Sequence, residues 1–223
     1  MNTRQDTRER LLEAAEAVFA SKGYYEAAVD EIVRRSNTSK GAVYFHFPSK
    51  ESLFLAVVDH LAGRLIHRVE RAVAPVADPG ERLQAALSTT LETVTRHRTL
   101  ASLLFSKGFG MGTPFVQKRQ EVYARFARLI RTLLEQVTDP SEGALDLETV
   151  AYAWLGAVSE VVVKWLETGR PHPVEEALPT LRALFSHGLG LRGPSPDRPT
   201  GDGPGQRATS AGVPAALRTR MAG

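Results

Sequence analysis

Apolar residues return every three or four positions along most of this chain, in runs separated by polar or Gly/Pro breaks. That is the spacing of helices that each bury one face. The first run, Thr7 to Ser21, places Leu11, Leu12, Ala15, Val18 and Phe19 on one side, and Gly23 follows as a C-terminal stop. Met1 to Arg8 is polar and expected to be mobile, with Arg4 and Arg8 in reach of phosphates. Val29, Ile32 and Val33 share a face of a short helix to Arg35. Ser36-Asn37-Thr38 then breaks it, because such side chains bond their own backbone. Ser39 is a ready N-cap for Lys40 to His46, and Pro48 forbids continuation. Helix, three-residue turn and helix is the helix-turn-helix pattern, whose second helix enters the DNA major groove.

The later runs are longer. Lys50 opens a fourth helix through Leu53, Phe54, Val57, Val58, Leu61, Leu65 and Val69 to Ala74, stopped by Pro75. Helices follow at Glu81 to Arg96, Thr99 to Ser106, Phe115 to Val137 and Asp146 to Thr168. The last runs from Val174 to Leu189, with a kink expected at Pro179. A Gly-rich loop, Gly108 to Pro114, and the turn Asp139 to Gly143 interrupt them. No strand pattern survives, so the predicted fold is all-α with roughly nine helices. Three segments result: residues 1–48 as a three-helix helix-turn-helix domain, 49–191 as a second helical domain, and 192–223 as a tail. Eleven of the tail's 32 residues are Gly or Pro, a disordered composition.

Composition narrows the class. With 43% apolar and 24% charged residues over 223 positions, the chain reads as globular. Its lack of cysteine excludes disulfides, thiolate–metal sites and cysteine nucleophiles, and fits a reducing cytosol. No apolar run follows the charged MNTRQDTRER, so no signal peptide is expected, and no uninterrupted apolar run reaches membrane-spanning length. The net charge of +3 is not an argument for nucleic acid, because five arginines against two aspartates in residues 192–223 account for all of it. Only the local cluster Arg34, Arg35, Lys40, His46 and Lys50 points that way.

From Leu11 to Leu53 the chain also resembles the TetR family of bacterial transcriptional repressors. Gly23-Tyr24, Ile32, Ser39, Gly41, Tyr44-Phe45-His46-Phe47, Lys50-Glu51 and Leu53 fall at the family's spacing. Two departures stand out. Ala28 replaces the usual threonine that caps the second helix and touches phosphate, and Ser36-Asn37-Thr38 replaces the commoner Ala-Gly-Val. The resemblance implies a homodimer formed by the last two long helices as a four-helix bundle. It also implies a cavity for a small-molecule effector in the central region, and control of a transporter or catabolic operon near the regulator's own gene.

The residues expected at DNA are Thr38, Ser39, Lys40, Gly41 and Ala42 near base edges, Tyr44 and His46 at phosphates or base edges, and Lys50 at the phosphate backbone. A lysine at a helix start sits badly against the macrodipole unless a phosphate faces it. A plain amphipathic helix pair is the alternative, with Tyr44 and Phe47 as core; Phe45 and Phe47 are expected to be core in either case. In the second domain Phe105, Phe109, Met111, Phe115, Tyr123, Phe126 and Trp154 are assigned to a ligand pocket, with Arg131 as its polar anchor. Arg98, Lys107, Lys118 and Arg119 are further anchors, and ordinary core packing is the alternative for the aromatic residues. Apolar side chains beside cations suit an acid-bearing apolar effector, such as a fatty-acyl group or its coenzyme A thioester. His60 and His67 stand seven residues apart, about 10.5 Å of helical rise, too far to share a metal unaided. Gly108 to Gly112 lacks the preceding strand of a dinucleotide loop. No catalytic, cofactor or metal constellation is expected.

The expected protein is a cytoplasmic, nucleoid-associated homodimeric repressor on a near-palindromic operator, released by its effector and held by no membrane. Two other classes compete: a helical carrier or enzyme with a vestigial helix-turn-helix, and a sequence-indifferent architectural DNA binder.

Overall fold

The computed structural model describes residues 3–105, 112–138 and 145–188, and among these it has nine α-helices and no strand. The tail from 192, together with Lys107, Phe109 and Met111, lies outside the described residues. The helices are α1 (Thr3–Glu26), α2 (Val29–Ser36), α3 (Lys40–His46), α4 (Lys50–Val73), α5 (Pro79–Arg96), α6 (Arg98–Phe105), α7 (Thr113–Leu134), α8 (Leu147–Thr168) and α9 (Leu178–Gly188).

Local chemistry sets most boundaries. Ser49 and Ser52 form a reciprocal capping box at the start of α4, each backbone N–H donating to the other's Oγ at 3.0 Å. Asp78 accepts from the Glu81 N–H at 2.8 Å, and Pro79 occupies the first turn of α5, where no N–H is needed. Asp146 caps α8 by accepting from the Glu148 and Thr149 N–H groups at 3.2 Å each. The Thr149 hydroxyl, with these backbone bonds behind it, holds the carboxyl below the usual range. Gly169, at φ 75°, closes α8 in the left-handed region.

Two expectations change. The N-terminal segment is helical from Thr3 rather than loose, and Gly23 (φ 76°, ψ −179°) breaks α1 without ending it, since helical bonding resumes through Glu26. At the other end, a π-helical turn over Pro173–Ala177 precedes α9. Pro179 thus stands inside a continuous helical run from Pro173 to Gly188, and the irregularity expected there takes the form of this wider turn just before it.

Three apolar clusters hold the helices. The first joins Leu11, Leu12, Val18 and Phe19 of α1 to Ile32, Val43, Phe47 and the first half of α4, and it continues into Leu103, Phe115 and Val122. The third uses the second half of α4, Leu65, Val69 and Val73, with Leu83, Leu133, Leu134 and Ala151. Between α5, α6, α8 and α9 lies the other, built on Leu91, Val162, Trp165, Leu181 and Phe185. α4, about 36 Å long by its rise per residue, is thus buried at one end among the N-terminal helices and at the other among the rest. The boundary expected after residue 48 cuts no gap in packing: Phe54 is fully buried and meets Phe19 edge-on at 5.0 Å and Phe115 at 6.3 Å.

Candidate nucleic-acid interface and apolar cavity

The turn between α2 and α3 works because of the residues that replace the commoner ones. Asn37 takes the left-handed conformation (φ 50°, ψ 49°), which asparagine tolerates better than most residues. Its N–H reaches Arg34 O at 3.3 Å, and the Thr38 N–H reaches Val33 O at 3.2 Å, which satisfies the end of α2. The Thr38 hydroxyl lies 2.8 Å from the buried Ser36 hydroxyl, so it is engaged inside the turn. Ser39 accepts from the Ala42 N–H at 3.1 Å, the expected cap.

α3 has seven residues, and Val43 and Phe47 anchor it to the core. At 3.6 residues per turn, Gly41 and Phe45 lie on the side of α3 opposite Val43, and Tyr44 and His46 flank them. Phe45 is 65% exposed and Tyr44 43%. The expectation that Phe45 is core is therefore wrong: its ring, edge-on to His46 at 5.2 Å, stands on the outward face. A Cβ at Gly41 would meet only Ser39 Oγ, at 3.7 Å. Packing within the chain therefore gives no reason for a glycine, and a surface that must be approached closely does.

Charge around this face is partly compensated. Lys40 pairs with Asp30 at 3.0 Å, a bond that holds its ammonium above the ordinary range, and Lys22 pairs with Glu31 at 2.6 Å. Arg34 and Arg35 are exposed. Lys50 does not simply project outward: its Nζ donates to the Tyr25 carbonyl at 3.0 Å and lies 4.9 Å from the Tyr24 ring centre. It ties the start of α4 to the end of α1, and an ammonium with three donors keeps two for a phosphate. Arg8, expected near phosphates, sits 5.4 Å over the Phe47 ring.

Ala28 leaves α2 without a side-chain cap, though its backbone is extended as a cap residue's is. Ala28→Thr is expected to stabilise the protein by about 1 kcal/mol, a rise of roughly 2–4 °C in Tm at this size. An unchanged Tm in a thermal scan would contradict this account of the cap.

In the larger helical body an almost wholly apolar cavity lies between α4, α5, α7 and α8. It is lined by Val69, Leu87, Phe126, Leu129, Trp154 and Val158 among others, and Trp154 stacks on Phe185 at 4.0 Å. Its single hydroxyl, that of Thr90, is turned back to Ala86 O at 2.8 Å. Of the residues expected to bind ligand, Phe126 and Trp154 line it. Phe115 does not: it is buried against Phe54 in the N-terminal cluster. Phe105 packs in the α5–α6–α8–α9 cluster, and Tyr123 is not in the cavity wall. Arg131 is exposed and paired with Glu135 at 3.3 Å, so it anchors nothing inside. Nor does Arg98, which donates to Leu166 O at 2.8 Å and covers the Trp165 ring. The α4 and α5 wall, Val69, Leu83 and Leu87, escaped the sequence reading because those residues look like any buried helix stripe.

Residues 11–57 match the family model described as bacterial regulatory proteins, tetR family. That match takes in the helix-turn-helix and the first third of α4, and it places the N-terminal domain with the TetR family. The HTH-type transcriptional activator FasR of Mycolicibacterium smegmatis is 34% identical over 106 residues, 48% of each chain. The chain thus spans about half the length of the curated relatives it matches first. Among solved structures, a TetR-like transcriptional regulator from Rhodococcus sp. RHA1 is 28% identical, with a TM-score of 0.61 over 83% of this chain and 97% of that one. FadR from Bacillus subtilis, solved in complex with stearoyl-CoA, shares the fold with a TM-score of 0.71 at 19% identity, over 83% and 99% of the two chains.

Proposed function

We propose that this chain is a homodimeric, effector-controlled transcriptional repressor. The observation that carries the reading is the outward face of α3, where Gly41, Tyr44 and Phe45 are presented away from the core on a helix that a capped turn holds rigidly. A short helix with a small residue opposite its core contact suits insertion into a major groove, and the flanking cations suit phosphates. FasR is named as an activator, and repression here is the reading for an operator that overlaps a promoter.

Dimerisation is supported by an uncovered apolar face. α8 is long and apolar enough to cross a membrane by length and composition, with a mean hydropathy of 1.2, yet only 28% of that stretch is buried. Tyr152, Ala153 and Gly156 are exposed on α8, as are Thr180, Ala183 and Leu184 on α9, with Leu184 58% exposed. The small residues permit close approach by a second copy, and exposed Glu160 and Lys164 on α8 fit a protein interface rather than lipid. Leu184→Glu is expected to halve the mass measured by light scattering at micromolar protein; an unchanged mass would place the interface elsewhere.

The effector is read as an apolar chain in the cavity beside Trp154, of the kind carried by the stearoyl-CoA of the FadR complex. It can release DNA only as far as it prefers the non-binding state, and α4 is the element buried at both ends that could carry that preference.

The test is selection of genomic DNA fragments by the purified full chain. Enrichment of a near-palindrome whose half-sites lie about one helical turn apart, roughly 34–36 Å, supports the reading. Retention that falls steeply with salt and enriches no sequence would mark an architectural binder. No retained DNA from a folded dimer would leave a carrier.

A further inference from the structure

A second cleft opens one helical turn away from the apolar cavity along α4 and α5, on the side of the N-terminal helices. Leu61, Leu65 and Leu104 make its apolar wall, and Arg64, Arg68 and His97 supply cations or donors. Among the described residues, no aspartate or glutamate lines it. The apolar cavity has no polar anchor of its own, since Thr90 is bonded to backbone and Arg131 lies outside. A ligand with an apolar chain and a charged head would therefore be served by the two spaces in succession.

Arg64 is also committed elsewhere. Its Nη1 donates to Glu16 of α1 at 3.1 Å and 3.4 Å, and the Glu16 side chain is only 13% exposed. Glu16 engages only Nη1, so an anion competes with it where it draws the whole guanidinium round into the cleft, onto Nη1 and Nη2 together. If it wins, a mostly buried carboxylate on α1 is left without its partner, which is costly. Relief comes from moving α1 away from α4 or from opening it to water.

We propose that the α4–α5–α6 cleft binds the anionic head of an amphiphile, carboxylate or phosphate, through Arg64, Arg68 and His97. We further propose that capture of Arg64 from Glu16 is how head binding is felt by α1. The effector's place in the cavity rests on the reading of the previous subsection; the head site and its trigger go beyond it.

The test uses the full chain with dodecanoate, dodecyl phosphate and dodecanol, titrated against the fluorescence of the tryptophans, of which Trp154 lines the cavity. Both charged probes are expected to bind at least about tenfold more tightly than dodecanol, the worth of one charge-assisted hydrogen bond. A preference for only one of them identifies the head as carboxylate or phosphate. Arg68→Gln removes most of that preference. Glu16→Gln acts oppositely, raising affinity for the charged probes several-fold because Arg64 no longer has a competitor. Hydrogen exchange of α1 amides supplies the second readout: dodecanoate at saturation speeds it in the parent and in Arg68→Gln, but not in Glu16→Gln. A merely structural role for Glu16 would lower affinity and speed exchange with no probe present.

Binding of dodecanol as tight as that of both charged probes, or an unchanged preference in Arg68→Gln, overturns the head site. Tighter binding in Glu16→Gln with probe-induced exchange intact overturns the trigger. Neither readout involves DNA, so failure of the repressor reading is scored separately by the fragment selection.

Discussion

Phe54→Ala is expected to cost about 3–5 kcal/mol of stability, the usual range for emptying a fully buried phenylalanine site. The loss is expected to appear in one cooperative transition. Phe54 has no exposed surface and is the point where the N-terminal helices meet the rest: it touches Phe19 of α1, Tyr24 at 5.2 Å between ring centres, and Phe115 of α7. Removing it opens a cavity that neither side can fill alone. Urea denaturation followed both by circular dichroism and by tryptophan fluorescence makes the check. The two tryptophans, Trp154 and Trp165, are both on α8, far along the chain from α1. Coincident curves displaced to lower urea are expected. Two separated transitions would mean that residues before α4 fold as an independent unit, which their shared cluster with Leu103, Phe115 and Val122 argues against.

The second large effect concerns DNA and should leave the fold alone. Tyr44→Ala combined with Phe45→Ala is expected to weaken binding to the selected sequence by on the order of 10²-fold or more, at about 1–3 kcal/mol for each base-edge contact. Stability should move little, because neither ring belongs to a buried cluster and both are exposed. Neither side chain carries charge, so the slope of affinity against salt should stay as it was. Arg35→Ala, which removes an exposed flanking cation, should by contrast lower that slope by about one while weakening all sequences alike. Measuring each variant at three salt concentrations separates the two behaviours. A double variant that lost its salt slope as well would show that α3 had moved.

How much of this was readable beforehand varies with helix length. The longer helices α4, α5, α7 and α8 repeat their apolar stripe often enough that the spacing identified them and most of their buried faces. α3 offers two turns at most. Over so few residues the run Tyr44-Phe45-His46-Phe47 reads as a block of aromatics, and nothing in it says that Val43 and Phe47 take the core while Phe45 faces out. Turn chemistry was legible where a side chain acts on its near neighbours, as at Ser39. It was not legible for Lys50, whose acceptor, the Tyr25 carbonyl, lies 25 residues earlier and is a backbone atom any residue would supply. The pocket suffered from the same limit. Aromatic identity marks a residue as buried somewhere, and it does not say that Phe115 packs on Phe54 while Phe126 of the same helix lines the cavity.

Gly23 carries a lesson about interpreting variants of this protein. A Cβ built there meets nothing within 4 Å, so any scheme that counts clashes or lost contacts would pass Gly23→Ala as silent. Its backbone, at φ 76° and ψ −179°, lies in a region that is essentially closed to every other residue, at a cost of order 1–3 kcal/mol. A side chain at this position would push the chain toward ordinary helical angles and swing Tyr24 and Tyr25 with it. The Tyr25 carbonyl would then leave Lys50, and α4 would lose its fastening to the end of α1. A one-carbon change with no steric neighbour is thus positioned to act at a distance on α4, where inspection of contacts alone would not look for it.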